Sequence, residues 1–288
     1  MTQRAYPNLM MSPPDLSGQV ALVTGGGRGL GRAFAEGLAA AGAAVAVVGR
    51  SADSLEETVR RIAAAGGCAI PVAADVTRID SVSSMVQAVQ KRFGAVDLLV
   101  NNAGTNRPVG RVWEVDPEQW WHCIESNLRG PFLCSRAVIP NMIERGGGRI
   151  INVGSTAGMR PLPYCSAYST SKAALSRLTE TLAAETKPYG IKVFAIHPGL
   201  VRTGMTEYLA ESPAGRYSVP WVGRVLSAGE DDPPEVAVNL VLLLSSGCAD
   251  SLSGRFLSAY DDLISLVERQ AEIEKEDWYT MRLRVPPA

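Results

Sequence analysis

Short, continuously apolar runs alternate along this chain with longer segments of helical periodicity. Val20–Thr24 (VALVT), Val45–Gly49 (VAVVG), Ala69–Val76 (AIPVAADV), Asp97–Gly104 (DLLVNNAG), Gly148–Ser155 (GRIINVGS), Ile191–Gly199 (IKVFAIHPG) and Gly254–Ala259 (GRFLSA) read as strands. Between them Arg32–Ala41, Ser54–Ala65, Asp80–Phe93, Asp116–Arg145, Tyr168–Pro188 and Pro234–Ser245 read as helices, the fourth with a break near Asn127 to Pro131. Ser51 to Ser54 offer caps to the second helix, and Glu57 completes a capping box after Ser54. Strands that are apolar throughout are buried on both faces, so the alternation predicts an α/β fold, a doubly wound parallel sheet flanked by helices. Ligands of such sheets bind beyond the carboxyl ends of the strands.

Residues 1–17, with Pro7, Pro13 and Pro14, read as a loose arm, residues 18–260 as one catalytic domain, and residues 261–288 as an extension packed on that domain or on a neighbouring subunit. Residues 200–233 are rich in Gly, Pro and Ser without clear periodicity. A loop of that length in a compact domain is functional or disordered, and we read a substrate lid with Met205, Tyr208 and Trp221 as pocket walls. In the extension, Leu263, Leu266, Val267 and Ile273 recur at helical spacing. Two readings stand there: a surface helix covering its own core, or Trp278, Tyr279 and Met281 covering the active-site mouth of this or a neighbouring subunit.

Composition narrows the function classes. A chain of 288 residues with 46% hydrophobic and 20% charged residues needs no disulfide or metal staple. The formal net charge of −1 gives no electrostatic case for a nucleic-acid or membrane partner. Five dispersed cysteines and two histidines argue against a disulfide framework or a metal site. The start lacks a signal-peptide core, and Val236–Leu244 is far too short to span a bilayer, which together suggest a cytoplasmic protein.

TGGGRGLG (Thr24–Gly31) joins the first strand to the first helix and fits G-x-x-x-G-x-G at Gly25, Gly29 and Gly31. Glycines there permit a tight turn and close approach of the backbone to a pyrophosphate at the positive end of a helix; a plain Gly-rich turn is the bland alternative. An acidic residue closing the second strand would bind the adenosine ribose hydroxyls, but Gly49 and Arg50 stand there instead. An Arg–phosphate contact of about 1.5–3 kcal/mol favours NADP(H) over NAD(H) by roughly 10- to 100-fold, and Arg28 could add a second contact.

YSTSK (Tyr168–Lys172) opens the helix after the fifth strand. Residues at i and i+4 share a helix face about 6 Å apart along the axis, so phenol and ammonium reach one pocket. A cation beside a phenol lowers its pKa, which suits a group that gives a proton to a carbonyl oxygen as hydride reaches its carbon. Ser155, at the end of a strand, could hold the same oxygen. Cys165, with no histidine nearby in sequence, is not expected to act as a thiol nucleophile, and His197 is expected to be packed rather than catalytic.

Together these motifs resemble the short-chain dehydrogenase/reductase family from about Gln19 to Ala259. The resemblance implies a single Rossmann-type domain and a site in which Tyr168 is the general acid or base. Lys172 would hold the nicotinamide ribose and depress the tyrosine pKa, Ser155 would polarise the carbonyl, and Asn127 would anchor a relay water. It also implies cofactor contacts from Gly25, Arg28, Gly29, Leu30, Gly31 and Arg50, and from Asp75 and Val76 at the adenine. Asn102, Ala103 and Gly104 would line the cleft, and Pro198, Gly199, Val201 and Thr203 the nicotinamide end. The expected reaction is hydride transfer between NADP(H) and a ketone or secondary alcohol, in a homodimer or homotetramer. An NAD-dependent alcohol dehydrogenase, an epimerase or dehydratase, and a non-catalytic nucleotide-binding protein remain alternatives.

Overall fold

The computed structural model describes residues 6–7 and 13–283. Seven strands form one parallel sheet: β1 (Val20–Thr24), β2 (Ala44–Gly49), β3 (Cys68–Ala73), β4 (Leu98–Asn101), β5 (Gly148–Val153), β6 (Ile191–His197) and β7 (Phe256–Ser258). Their order is β3-β2-β1-β4-β5-β6-β7, a Rossmann-like sheet whose direction of winding reverses beside β1. At that reversal neighbouring crossovers run to opposite faces and leave a crevice at the carboxyl ends.

The central strands are apolar throughout because both faces are covered. Ala21, Val23, Val45, Val47, Leu98, Val100, Phe194 and Ile196 face one buried layer with α1 (Gly29–Ala40) and α10 (Pro234–Ser246). Leu22, Ala46, Val48, Leu99, Ile150 and Val193 face the other, with α3 (Ile79–Phe93) and α5 (Gly130–Glu144). The second helix, α2, runs from Ala52 to Ala64, so Ser51 occupies the N-cap position. The expected capping box at Ser54 is therefore corrected: Ser54 lies inside the first turn, where its hydroxyl donates to Ser51 O at 3.0 Å.

The long fourth helix is resolved into three parts. α4 (Pro117–Ile124) starts on Asp116, whose carboxylate accepts from Gln119 N, with Pro117 in the first turn. A π-turn spans Glu125–Arg129, and α5 continues from Gly130. The break expected near Asn127 is this turn, which carries the helix past Asn127 without ending it.

Residues 200–233 depart from the expected irregular loop. They hold α7 (Gly204–Glu211), α8 (Pro213–Ser218) and α9 (Pro220–Ala228), each short and opened by a cap or a proline. Their apolar faces are only one or two turns long, too short for periodicity to register in sequence. Val219, Val222 and Leu226 of this segment bury a small separate cluster with Val109 and Cys165, against which Leu162, Tyr164, Tyr168 and Tyr208 pack.

The arm is not loose where it is described. Leu16 is fully buried, and Tyr6 packs on the α1–α10 core; residues 1–5 and 8–12 of the arm lie outside the described residues. After β7 come α11 (Leu263–Glu268) and α12 (Gln270–Lys275), which bury Leu263, Leu266 and Ile273 in the same core. Beyond them Tyr279 O accepts from Phe256 N at 2.8 Å on β7, and Met281 binds Arg177 and Glu180. Residues 284–288 lie outside the described residues. No helix among the described residues is long and apolar enough to cross a membrane.

Candidate active site

The loop residues singled out in the sequence for the cofactor follow the carboxyl ends of the strands. The glycine loop follows β1, Arg50 follows β2, Asp75 and Val76 follow β3, Asn102–Gly104 follow β4, Ser155 follows β5, and Pro198–Thr203 follow β6. Strand order thus brings residues from the whole length of the chain to one edge of the sheet.

The loop Thr24–Gly29 has the shape of a phosphate cradle. Gly25 (φ +66°) and Gly29 (φ +54°) lie in the left-handed region that L side chains avoid. At Gly31 a Cβ would stand 2.1 Å from Gly25 O, so α1 begins flush against the turn. Arg28 stands at the N-cap with no side-chain cap bond, and the first turn of α1 contains no acidic residue. Its N–H groups and positive dipole end are left for an anion, so the fold here fits the pyrophosphate of a dinucleotide. Leu30 is half-buried against the core, and Thr203 faces Gly29 across the cleft, its Cγ2 3.3 Å from where a Cβ of Gly29 would stand.

Thr24, the first residue of the loop motif and given no role of its own in the sequence, ties two of the loops together. Its Oγ1 accepts from Asn102 N at 2.9 Å and Ala103 N at 3.0 Å, while Asn102 Nδ2 donates back to Thr24 O at 2.9 Å. The amide of Asn102 therefore holds the turn after β4 against the glycine loop. Arg50 and Arg28 are both exposed at the rim. Burial pushes the Asp75 carboxyl up, but its bonds from Thr77 N and Oγ1 and the charges of Arg50 and Arg78 more than offset this, leaving it below the usual carboxylate range. Val76 is buried beneath it, and Val201 is buried at the far end of the cleft.

Ser155, Tyr168 and Lys172 converge. α6 (Ser166–Thr186) starts two residues before Tyr168, which places Lys172 one turn deeper on the same face. The Ser155 hydroxyl bonds the Tyr168 phenol and also accepts from Ala157 N at 3.2 Å, which fixes its direction. Lys172 Nζ donates to Val153 O at 2.7 Å and lies 5.6 Å from the centre of the Tyr168 ring. Burial pushes the phenol up to about 12, against the Ser155 hydrogen bond that lowers it, and pushes Lys172 down to about 8. The expected depression of the tyrosine pKa is thereby corrected for the protein alone: removing the phenolate from water outweighs the Ser155 hydrogen bond that favours it.

Asn127 is fully buried, and its side chain serves the loop after β4. Its Oδ1 accepts from Thr105 N at 2.8 Å, while Nδ2 donates to Thr105 O at 2.8 Å and Ser171 Oγ at 2.9 Å. These bonds occupy the side-chain amide, and Asn127 lies within the π-turn Glu125–Arg129. Burial pushes Cys123 and Cys165 up to about 11, so neither is a nucleophile near neutral pH. His197 is held down to about 4, first by burial, and meets Tyr260 edge to face at 5.9 Å.

α7 and α8 are tied to the loop that follows β4. Asn106 Nδ2 donates to Met205 O at 3.2 Å, and the Arg107 guanidinium lies 3.8 Å over the Tyr208 ring. Arg111 donates to Tyr217 OH at 3.0 Å, and the Tyr217 ring meets that of Tyr164 at 5.9 Å. Tyr208 and Tyr168 both pack against the small apolar cluster, while Trp221 is exposed.

Residues 19–214 match the short chain dehydrogenase family. This chain is a short-chain dehydrogenase, one of a family of oxidoreductases that use a nicotinamide cofactor. A short chain dehydrogenase of Pseudocercospora fijiensis is 38% identical over 91% of this short-chain dehydrogenase and 85% of its own length. The 3-oxoacyl-[acyl-carrier-protein] reductase of Synechocystis is 37% identical over 83% of the chain and 94% of its own length. Among solved structures, a gluconate 5-dehydrogenase from Burkholderia cenocepacia, in complex with NADP and tartrate, superposes with a TM-score of 0.77 at 31% identity. It covers 87% of this chain and 96% of that one.

Proposed function

We propose that the protein transfers hydride between NADP(H) and a ketone or secondary alcohol, with reduction of the carbonyl as the favoured direction. The observation that carries the reading is the meeting of Ser155, the Tyr168 phenol and Lys172 at the strand ends, on the same edge of the sheet as an uncapped helix N-terminus behind a glycine turn.

The nicotinamide, when bound, supplies or accepts the hydride. The protein handles the proton and the charge. Tyr168 holds the proton that a carbonyl oxygen needs as it becomes an alkoxide, and a phenol kept protonated by burial is in the required form across the neutral range. The Ser155 hydroxyl, turned by its bond from Ala157 N, donates to the same oxygen. Lys172 supplies positive charge beneath the phenol and steadies the phenolate left behind. Its ammonium also holds the nicotinamide ribose. Asn127 keeps the loop after β4 in place and would anchor a relay water.

Cofactor contacts divide along the cleft. Gly25, Gly29, Leu30 and Gly31 would hold the pyrophosphate, and Asp75 and Val76 the adenine. Asn102, Ala103 and Gly104 would line the middle, and Pro198, Gly199, Val201 and Thr203 would hold the nicotinamide end. Arg50, with Arg28, accepts a 2′-phosphate where a carboxylate would repel it. NADP in the related Burkholderia structure supports that preference. The aromatic lid with Tyr208 and Tyr164 favours a moderately apolar substrate. Trp121 and Phe132, large side chains left exposed on α4 and α5, support assembly into a homodimer or homotetramer.

The test is oxidation of NADPH and of NADH by the purified protein over a panel of ketones. NADPH turnover exceeding NADH turnover at least tenfold in kcat/KM is expected; binding of neither dinucleotide contradicts the reading.

A further inference from the structure

Beyond these residues, a buried carboxylate stands behind the turn that follows β6. Asp232 precedes α10 and is 1% exposed. A carboxylate that deep is costly unless donors surround it, and here they come from three separate parts of the chain. Leu200 N donates to Oδ2 at 2.6 Å, Tyr6 OH donates to Oδ1 at 3.0 Å, and Tyr260 OH donates to Oδ2. The backbone adds to this, since Asp232 N donates to Leu200 O at 2.9 Å and Val201 pairs with Asp232 in a parallel bridge. The Tyr6 and Tyr260 rings stack at 6.5 Å, and His197, the last residue of β6, packs on the edge of Tyr260.

The turn itself has no freedom of its own. Gly199 has φ +86°, and a Cβ there would stand 2.8 Å from Asp232 Oδ2 and 3.2 Å from Tyr260 OH. The carboxylate and the turn are therefore built against one another, one residue before Leu200 and two before the buried Val201. We propose that Asp232 is the positioning residue for the nicotinamide end of the cofactor site, and that Tyr6 makes the N-terminal segment part of that support. The proposal rests on the reading of Pro198–Thr203 as the nicotinamide-facing turn. It gives the arm a role that its prolines and lack of periodicity conceal: one phenol, some two hundred residues away in sequence, completes the ring of donors on which the turn is seated.

A positioning role and a merely structural one separate by which half of the dinucleotide feels the change. Asp232→Asn keeps the shape and one acceptor for Leu200 N but removes the charge that orients both phenols. Calorimetric titration of the full-length protein compares each dinucleotide with its half: NADPH with 2′-phospho-ADP-ribose, and NADH with ADP-ribose. The account expects Asp232→Asn to weaken the dinucleotide about tenfold, equivalent to about 1.4 kcal/mol, while the half-molecule binds within about twofold of wild type. Tyr6→Phe and Tyr260→Phe, which delete one hydroxyl each, are expected to weaken the dinucleotide two- to fivefold with the same selectivity. They decide the matter if Asp232→Asn fails to fold. A dinucleotide-to-half ratio unchanged in the variants, or both ligands weakened equally, overturns the inference while leaving the proposed function standing. Wild-type protein that binds none of the four ligands overturns both.

Discussion

Two side chains carry most of what is specific at the scale of single residues. Arg50 stands at the rim where an acidic residue would select a bare ribose, and its charge contributes to the lowered pKa of Asp75. Arg50→Ala is expected to lower the kcat/KM preference for NADPH over NADH by about 10- to 100-fold, the worth of one charged hydrogen bond; an unchanged ratio of the two specificity constants makes Arg50 a bystander. His197 gives a stability prediction. Its folded pKa of about 4 lies below the ordinary 6.5, so between these values the unfolded chain binds a proton that the folded chain refuses. Stability is therefore complete above about pH 6.5 and is lost as pH falls towards 4. Urea midpoints measured from pH 7 to pH 5 are expected to fall less steeply in His197→Gln than in wild type. Residues of this kind differ in legibility. Tyr168 and Lys172 could be found because i, i+4 spacing is local. Thr24 and Asp232 could not, because a threonine and an aspartate acquire their roles only from loops 78 and 32 residues away.

Elements were legible to the extent that they are long or continuously apolar. The central strands are runs rich in Val, Ile, Leu and Ala because a parallel sheet is covered on both faces, and that signal survives without knowledge of their neighbours. Residues 200–233 left no such signal. Helices of eight, six and nine residues give apolar faces too short to register, and those faces pack on one another and on the loops after β4 and β5. The Ser54 cap misled for a local reason: Ser51 and Ser54 are both competent caps, and the helix begins at the earlier one. The glycine turn supplies the prediction at this scale. Gly31→Ala drives a Cβ into Gly25 O and must displace either the turn or the start of α1. It is expected to weaken dinucleotide binding at least 100-fold in a fluorescence titration; affinity within threefold of wild type would mean that the turn does not seat the pyrophosphate. Arg107→Ala, which removes the cation over Tyr208, is expected to raise the ketone KM several-fold with the cofactor Kd unchanged.

Across the whole molecule, one edge of the sheet bears the chemistry and the rest holds it in place. The extension after β7 buries Leu263, Leu266 and Ile273 in the core shared by α1 and α10, and its last described contacts lie on β7 and the C-terminal half of α6. Ile273→Ala is accordingly expected to cost about 2–5 kcal/mol in chemical denaturation, with ketone KM unchanged. The central claim concerns Tyr168, and it is tested most directly by Tyr168→Phe, which removes a single oxygen. With a ketone that the wild type reduces, kcat is expected to fall by about 10²–10⁴-fold while the dinucleotide Kd stays within threefold. A variant that reduces the ketone at the wild-type rate would contradict the account, because the proton would then reach the alkoxide from another group.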